Sequence, residues 1–163
     1  MTATGAIVKI LVYMTGLSPP WAVALAALRL ANRLVDHIQA GARAEGFHDV
    51  RPIHGFAFMR LAADDATAGD LAEHLGVSKQ ASAQLIDRMV RNGYAIRVAH
   101  PSDGRARLIR LTARGHACTR AARAAAEAEV QAWRTELNPN DRLHFERALL
   151  QLTAKISAIR PTW

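Results

Sequence analysis

The side chains with the clearest chemistry are cationic and amide groups gathered in one stretch. Ten basic residues lie between Lys79 and Arg123: Lys79, Arg88, Arg91, Arg97, Arg105, Arg107, Arg110, Arg114, Arg120 and Arg123. Two acids, Asp87 and Asp103, oppose them, so this segment carries +8 while the whole chain carries +7. Cationic charge concentrated in this way suits a polyanion, and nucleic acid leads that class. Gln80 and Gln84 each offer the donor–acceptor pair that matches an adenine edge, and Ala83 is shaped to meet a thymine methyl. Lys79 and Ser82 complete a short polar stretch suited to base edges. Ser78, at a helix start, favours a phosphate. Arg88, Arg91, Arg97 and Arg107 suit phosphates, which position a duplex without specifying its sequence. Asp103 stands two residues before Arg105, and a charge-assisted bond between them would pin that arginine at a turn tip. There it suits a minor groove, whose negative potential is strongest where it is narrow. The bland alternatives are a solvated Arg-rich face and an ordinary surface ion pair.

Other chemistry has less support. Cys118 is the single cysteine, so an internal disulfide framework and a multi-cysteine zinc site are excluded. Arg114 and Arg120 are near enough in sequence to lower its pKa, which keeps a redox-responsive regulator as an alternative to a plain small helix residue. His37, His48, His54, His74, His100, His116 and His144 show no paired ligand spacing, so no metal or cofactor is expected. A Gly-rich phosphate loop, a nucleophile elbow and a recognisable carboxylate pair are all missing, so no enzyme is expected. A small enzyme with a hidden histidine site and a protein-interaction module remain the rivals from other classes.

The elements that must position these residues can be read from composition and periodicity. The chain has 163 residues, 50% hydrophobic, 21% charged and 6% aromatic. That balance describes one ordered domain with an aliphatic, alanine-rich core. No apolar run reaches the roughly 18 residues of a spanning helix, so no membrane partner is expected. Residues 1–17 are apolar and β-branched. They fit an added packing segment, a disordered leader, or a true start at Met14; packing is our expectation.

Ser18-Pro19-Pro20 opens a helix whose apolar face is Leu25, Leu28, Val35, Ile38 and Ala42, and Gly46 ends it. Arg51-Pro52 opens a second through Phe56, Met59 and Leu61. Thr67 and Asp70 form a capping box for a short helix holding Leu71 and Leu75. Gly76-Val77 turns, and Ser78 caps a further helix with an expected inner face of Ala81, Leu85 and Met89. Asn92-Gly93 stops it. Strands are expected at Tyr94–Val98 and Arg107–Leu111 around the turn-forming segment from His100 to Gly104. A long alanine-rich helix then runs from Thr112 to about Leu137. Asn138-Pro139 restarts a last helix carrying Leu143, Leu149, Leu152, Ile156 and Ile159. The fold class is therefore mainly α with a small β-hairpin wing, a winged helix-turn-helix with terminal dimerisation helices. The expected organisation is an extension at 1–17, a dimerisation helix at 18–50, a winged helix-turn-helix DNA-binding region at 51–112, and a long helix plus C-terminal dimerisation helix at 113–163.

The stretch LAEHLGVSKQASAQLIDRMVRNGYAIRVAHPSDGRARLIRLTARG, Leu71 to Gly115, resembles the MarR (multiple antibiotic resistance regulator) family of bacterial transcription factors. Its most specific part is DGRARLIRLTARG, with Asp103, Arg105, Leu111, Thr112 and Gly115 in the family's places. The resemblance implies a cytoplasmic homodimer whose terminal helices form the interface. It implies two winged helices on a pseudo-palindromic double-stranded operator, and a repressor released by a small aromatic or anionic effector. The family's effector pocket lies between the dimer helices and the winged region. Trp21, His37, His54, Phe56, Phe58, Met59 and Trp133 are its candidate liners here, with His54 the preferred polar group, although each also suits a plain core. Relatives that sense peroxide use a cysteine near the start of their first helix, and the matching segment here has none.

Overall fold

The computed structural model describes residues 19–156. The extension at 1–17, the expected cap Ser18 and the apolar Ile159 lie outside the described residues. The chain divides into two compact units, one ending at Asp36 and one beginning at His37. Helix α1 (Pro20–Ala44) supplies the described part of the first unit. There Trp21, Val23, Leu25 and Leu28 are all exposed. The buried residues of α1 are Gln39 and Ala42, both in the second unit.

In the second unit a recurring device ends the helices. Gly46 sits at φ 87°, its N–H bonds the Arg43 carbonyl, and the Phe47 N–H bonds the Ala42 carbonyl, both at 3.0 Å. This double bond across a left-handed residue is the Schellman arrangement, and glycine has no Cβ to oppose it. The same pattern closes α3 (Ala68–Leu75) at Gly76 and α4 (Lys79–Arg91) at Gly93. Val77 N–H reaches the Ala72 carbonyl at 3.0 Å and Tyr94 N–H the Met89 carbonyl at 2.9 Å. After each glycine comes an apolar or aromatic residue, Phe47, Val77 or Tyr94, that packs into or against the core.

The helix starts are equally local in origin. Pro52 opens α2 (Pro52–Ala63), and the Arg51 N–H is accepted by His54 Nδ1 at 2.9 Å. The expected capping box on α3 is present: Thr67 N–H donates to Asp70 Oδ2 at 2.8 Å, and Thr67 Oγ1 accepts from the Asp70 N–H at 3.2 Å. Ser78 Oγ accepts the Ala81 N–H at the start of α4.

Between α2 and α3 the chain forms a strand that periodicity does not predict, β1 (Ala66–Thr67). With β2 (Ala95–Ala99) and β3 (Arg107–Leu111) it makes an antiparallel sheet of order β1-β3-β2. Ala66 faces Ile109, and Ala95 faces Leu111. The first wing strand starts one residue later than expected because the Tyr94 N–H closes α4 instead. The core lies between this sheet and α2 to α4, with Phe58, Leu71, Leu75, Ile86, Met89, Tyr94 and Ile109 all essentially enclosed. Full burial of such side chains stabilises by roughly 1.5–3 kcal/mol each. Phe58 and Tyr94 rings meet at 5.4 Å, within the range of favourable tilted aromatic pairs.

Thr112 caps α5 (Ala113–Glu136) through the Gly115 N–H. Gly115 packs so closely that an added Cβ would lie 2.2 Å from the Tyr94 carbonyl oxygen. Gly41 meets α5 in a similar way, since a Cβ added there would lie only 2.4 Å from that of Ala125. Asn138 caps α6 (Pro139–Thr153), accepting from the Asn140 and Asp141 N–H groups. No residue of α6 is buried. Leu143, Leu149, Leu150 and Leu152, with Ile156 just beyond, are exposed. No described helix is long and apolar enough to cross a membrane.

Candidate nucleic-acid interface

Helix α4 is polar on one side and buried on the other. Its inner face is Ser82, Leu85, Ile86 and Met89. This corrects two expectations at once. Ala81, expected inside, is exposed; Ser82, expected among the base readers, is fully enclosed. The physical reason is a hydrogen bond: Ser82 Oγ donates to the Ala68 carbonyl at 2.9 Å. That bond satisfies the hydroxyl and lets a serine occupy an inward position where an alanine was expected. Lys79, Gln80, Ala83, Gln84, Arg88 and Arg91 are all exposed on the outer side. Among the described residues, none of the side chains of Lys79, Gln80, Gln84, Arg88 or Arg91 has a protein partner. Ser78 is exposed too, with its oxygen turned to the cap.

The wing carries a second cationic feature. Asp103 Oδ1 accepts the backbone N–H of Arg105 at 2.9 Å, and its carbonyl accepts the Ala106 N–H at 3.1 Å. The expected charge-assisted bond to the guanidinium is therefore replaced by an Asx-type turn. Asp103 shapes the tip through the main chain, and Arg105 projects with no side-chain partner among the described residues. Arg107 is exposed and reaches back to the Ala106 carbonyl at 3.3 Å.

Several arginines of the basic stretch are bound internally. Arg97 pairs with Asp87 of α4, which removes it from the set expected to hold phosphates through a free guanidinium. Arg110 grips Asp65 with Nε at 2.9 Å and Nη2 at 2.6 Å from Oδ2, and that bond raises its pKa. Arg114 donates to the Tyr94 hydroxyl at 3.1 Å and lies 4.7 Å above that ring. Asp65 and Asp49 escape a sequence reading as partners because Arg110 and the Tyr94 hydroxyl, which they bind, each lie 45 residues further along the chain. Proximity of that kind comes from the fold, not from spacing.

Cys118 is buried, and burial is the main cause that pushes its thiol up to about 11. The expected lowering by neighbouring arginines is overturned, since desolvation outweighs the Arg114 charge. The proposed effector residues are also dispersed. His54 is enclosed, its Nδ1 serves the α2 cap, and burial holds its pKa down. Phe58 is core, Phe56 packs partly against it, and Met59 is exposed. Trp133 donates to Glu129 at 2.6 Å, and His37 Nδ1 lies 3.2 Å from the same carboxylate. Trp21 stands exposed in the first unit. An open cleft of about 220 Å³ between α5 and α6 is walled by Val130, Trp133, Leu137, Phe145, Leu149 and Leu150. Of the seven candidates, Trp133 alone lines it. The described residues contain no cluster of three or more metal-ligating side chains.

A short brace helix, a turn, a helix with one bare polar face and a two-stranded hairpin with an arginine at its tip define a winged helix-turn-helix protein. Residues 48–106 match the model of the MarR family. The fold matches Rv1404 of Mycobacterium tuberculosis at TM-score 0.71 and 25% identity, over 89% of this chain and 99% of that one. It also matches a point variant of Staphylococcus aureus MepR bound to an oligodeoxyribonucleotide, at TM-score 0.60 and 16% identity, over 82% and 97%. A third similar structure is the M. tuberculosis MarR family protein Rv2887 in complex with salicylic acid, at TM-score 0.60 and 23% identity, over 83% and 97%. No curated protein matches the sequence. Over residues 48–106 the chain matches the MarR family, and its fold is that of the winged-helix MarR regulators.

Proposed function

We propose that this chain is a cytoplasmic transcription regulator that binds double-stranded DNA as a homodimer. The observation that carries the reading is the outer face of α4, where Lys79, Gln80, Ala83 and Gln84 stand exposed beside Arg88 and Arg91. In this reading α4 enters the major groove and those first four residues meet base edges. Ser78 and the adjoining backbone, with Arg88, Arg91 and Arg107, hold phosphates. Arg105 enters the minor groove and Asp103 keeps the tip in shape. Arg97 acts indirectly, by neutralising Asp87. The MepR variant bound to an oligodeoxyribonucleotide supports DNA as the partner of this fold.

The homodimer reading is supported by Leu143, Leu149, Leu150 and Leu152, which are exposed on a helix with no buried residue. Residues 18–50 and 113–163 are its proposed dimerisation segments, and 51–112 its DNA-binding region. Two-fold symmetry would place two copies of α4 about 34 Å apart, one turn of duplex. We infer further that it acts as a repressor answering a small aromatic or anionic effector. The salicylic acid complex of Rv2887 supports that ligand class.

Fluorescence anisotropy tests the core of this reading. Labelled DNA from the region upstream of its own gene is compared with scrambled DNA over a salt series. Binding that favours its own DNA and weakens steeply with salt is expected, because cations on the protein displace counterions from the duplex. Absence of binding to either DNA would overturn it.

A further inference from the structure

We propose that Asp49 is a positioning residue for α4, a role that rests on reading α4 as the helix that enters the groove. Asp49 lies in the loop between α1 and α2, far in sequence from anything that touches DNA in that reading. Its Oδ1 accepts the Tyr94 hydroxyl at 2.6 Å, and its Oδ2 accepts the side-chain amide of Asn92, the C-cap of α4. Arg114, in the first turn of α5, donates to the same Tyr94 oxygen at 3.1 Å and lies 3.9 Å from Asp49 Oδ1. Its guanidinium also sits 5.4 Å from the Phe47 ring. One carboxylate thus ties together the loop, the end of α4 and the start of α5.

The loop can bear such a load. Phe47 and Val50, on either side of the Asp49 turn, are both buried in the core. Asp49 therefore projects from a segment fixed at two points. At its other end α4 is held by Ser82 on the Ala68 carbonyl. The helix is pinned near both termini, by a neutral bond at the start and a charge-assisted one at the finish. The second pin matters for recognition. A tilt of roughly 5° over the about 20 Å length of a 13-residue helix moves an end by close to 2 Å. Released at its finish, the helix would swing about the Ser82 pin, so Arg88 and Arg91 near the freed end would move most and lose their hold on phosphates, which position the helix on the duplex. Among the described residues the Asn92 amide and the Tyr94 hydroxyl donate to no other acceptor, so the link from the loop to the end of α4 rests on Asp49, while the link from α4 to α5 is shared with Thr112, whose hydroxyl donates to the Gly93 carbonyl at 2.6 Å.

The test uses the full chain with Asp49→Ala, Asp49→Asn and Tyr94→Phe. Two readouts are taken: affinity for a duplex selected from a random pool against scrambled duplex, and amide hydrogen exchange of residues 79–91. Asp49→Ala is expected to weaken binding to both duplexes by about tenfold, the scale of one or two weakened phosphate contacts. It should also raise exchange across α4 while sparing residues 117–125 of α5. Asp49→Asn, which keeps one of the two acceptor oxygens and the size, should recover part of both affinities. If Asp49→Ala does not fold, Tyr94→Phe is judged by the same two readouts. Unchanged affinities and unchanged exchange in a folded variant would overturn the proposal. Wild-type protein that binds neither duplex would overturn the DNA reading instead, and the exchange experiment would still decide whether Asp49 positions α4.

Discussion

Ser82 Oγ bonds the Ala68 carbonyl at 2.9 Å, joining the two helices of the helix-turn-helix through a side chain with no exposed surface. The bond sets the rotation of α4 about its own axis. Turning the helix by one residue would bring Ala81 inward and strip the hydroxyl of its partner. Replacing Ser82 with alanine removes the donor, while the Ala68 carbonyl keeps its place at the head of α3. The expected loss is about 1 kcal/mol, typical of one neutral hydrogen bond. Urea unfolding with an unchanged m-value measures it. Valine at the same position should cost more, since its extra bulk meets a packed wall. A Ser82→Ala protein as stable as wild type would show that shape alone sets the register.

The arginines of the basic stretch divide by partner, and so should their variants. Arg105→Ala, which removes the unpaired side chain at the wing tip, is expected to weaken DNA binding by about 1–3 kcal/mol. Arg88→Ala should weaken binding to all sequences alike and reduce the salt slope by about one. Arg97→Ala should leave the slope near its wild-type value, because that cation is already neutralised by Asp87. Anisotropy over a salt series separates these cases, and a slope that dropped equally for Arg97→Ala and Arg88→Ala would sink the distinction.

Gly115 is required for lack of a side chain, not for an unusual backbone angle. A Cβ there would meet the Tyr94 carbonyl at 2.2 Å and Leu111 Cδ2 at 2.9 Å. The first neighbour is main chain, tied by the Thr112 N–H at 3.0 Å, and has little room to yield. Gly115→Ala should therefore destabilise by about 3 kcal/mol, the upper end of overpacking costs. Gly104→Ala is the control: a Cβ added there would meet nothing within 4 Å, so stability should hardly change.

Acid should weaken the fold in two separate ranges. Burial holds the His54 pKa below its ordinary 6.5, so the unfolded chain takes up that proton first. Stability is then lost as pH falls from 6.5 toward the folded value. Asp70 is held below 3.8 by its Thr67 bonds. In Asp49, burial pulls upward, but the bonds from Tyr94, its own backbone and Asn92 outweigh it. The contributions of both aspartates are present above 3.8 and vanish as pH drops through their folded values. Urea midpoints at pH 7.5, 5.5 and 3, at fixed protomer concentration, should fall throughout. His54→Gln should flatten the upper interval and leave the lower one. An equally steep upper interval in that variant would show that His54 is not its source.

Much of this architecture is legible because it is written locally. The glycines at 46, 76 and 93, the caps Thr67, Ser78, Thr112 and Asn138, and the turn before Arg105 act within four or five residues. Their consequences therefore appear in spacing. The register of α4 is easily misread because polarity is a poor guide to exposure there: Ser82 buries a polar atom against a partner 14 residues away. β1 escapes notice because two residues carry no periodicity, and it is a strand by virtue of Ile109 and Leu108 opposite. The outer face of α4 is legible apart from the exchange of Ala81 and Ser82 between its two faces. The internal pairing of Arg97, Arg110 and Arg114 is not, since each partner is brought up by tertiary structure. The effector residues are candidates by type, and type does not say which aromatic rings share a wall.

Helix α6 has no interior of its own. In a homodimer its leucines would be enclosed by a second copy, and the folded state would then be favoured by mass action as well as by contacts. Dilution would act as a mild denaturant, and a cell making few copies would hold a less stable protein than one making many. For a regulator of transcription, abundance and competence would then rise and fall together.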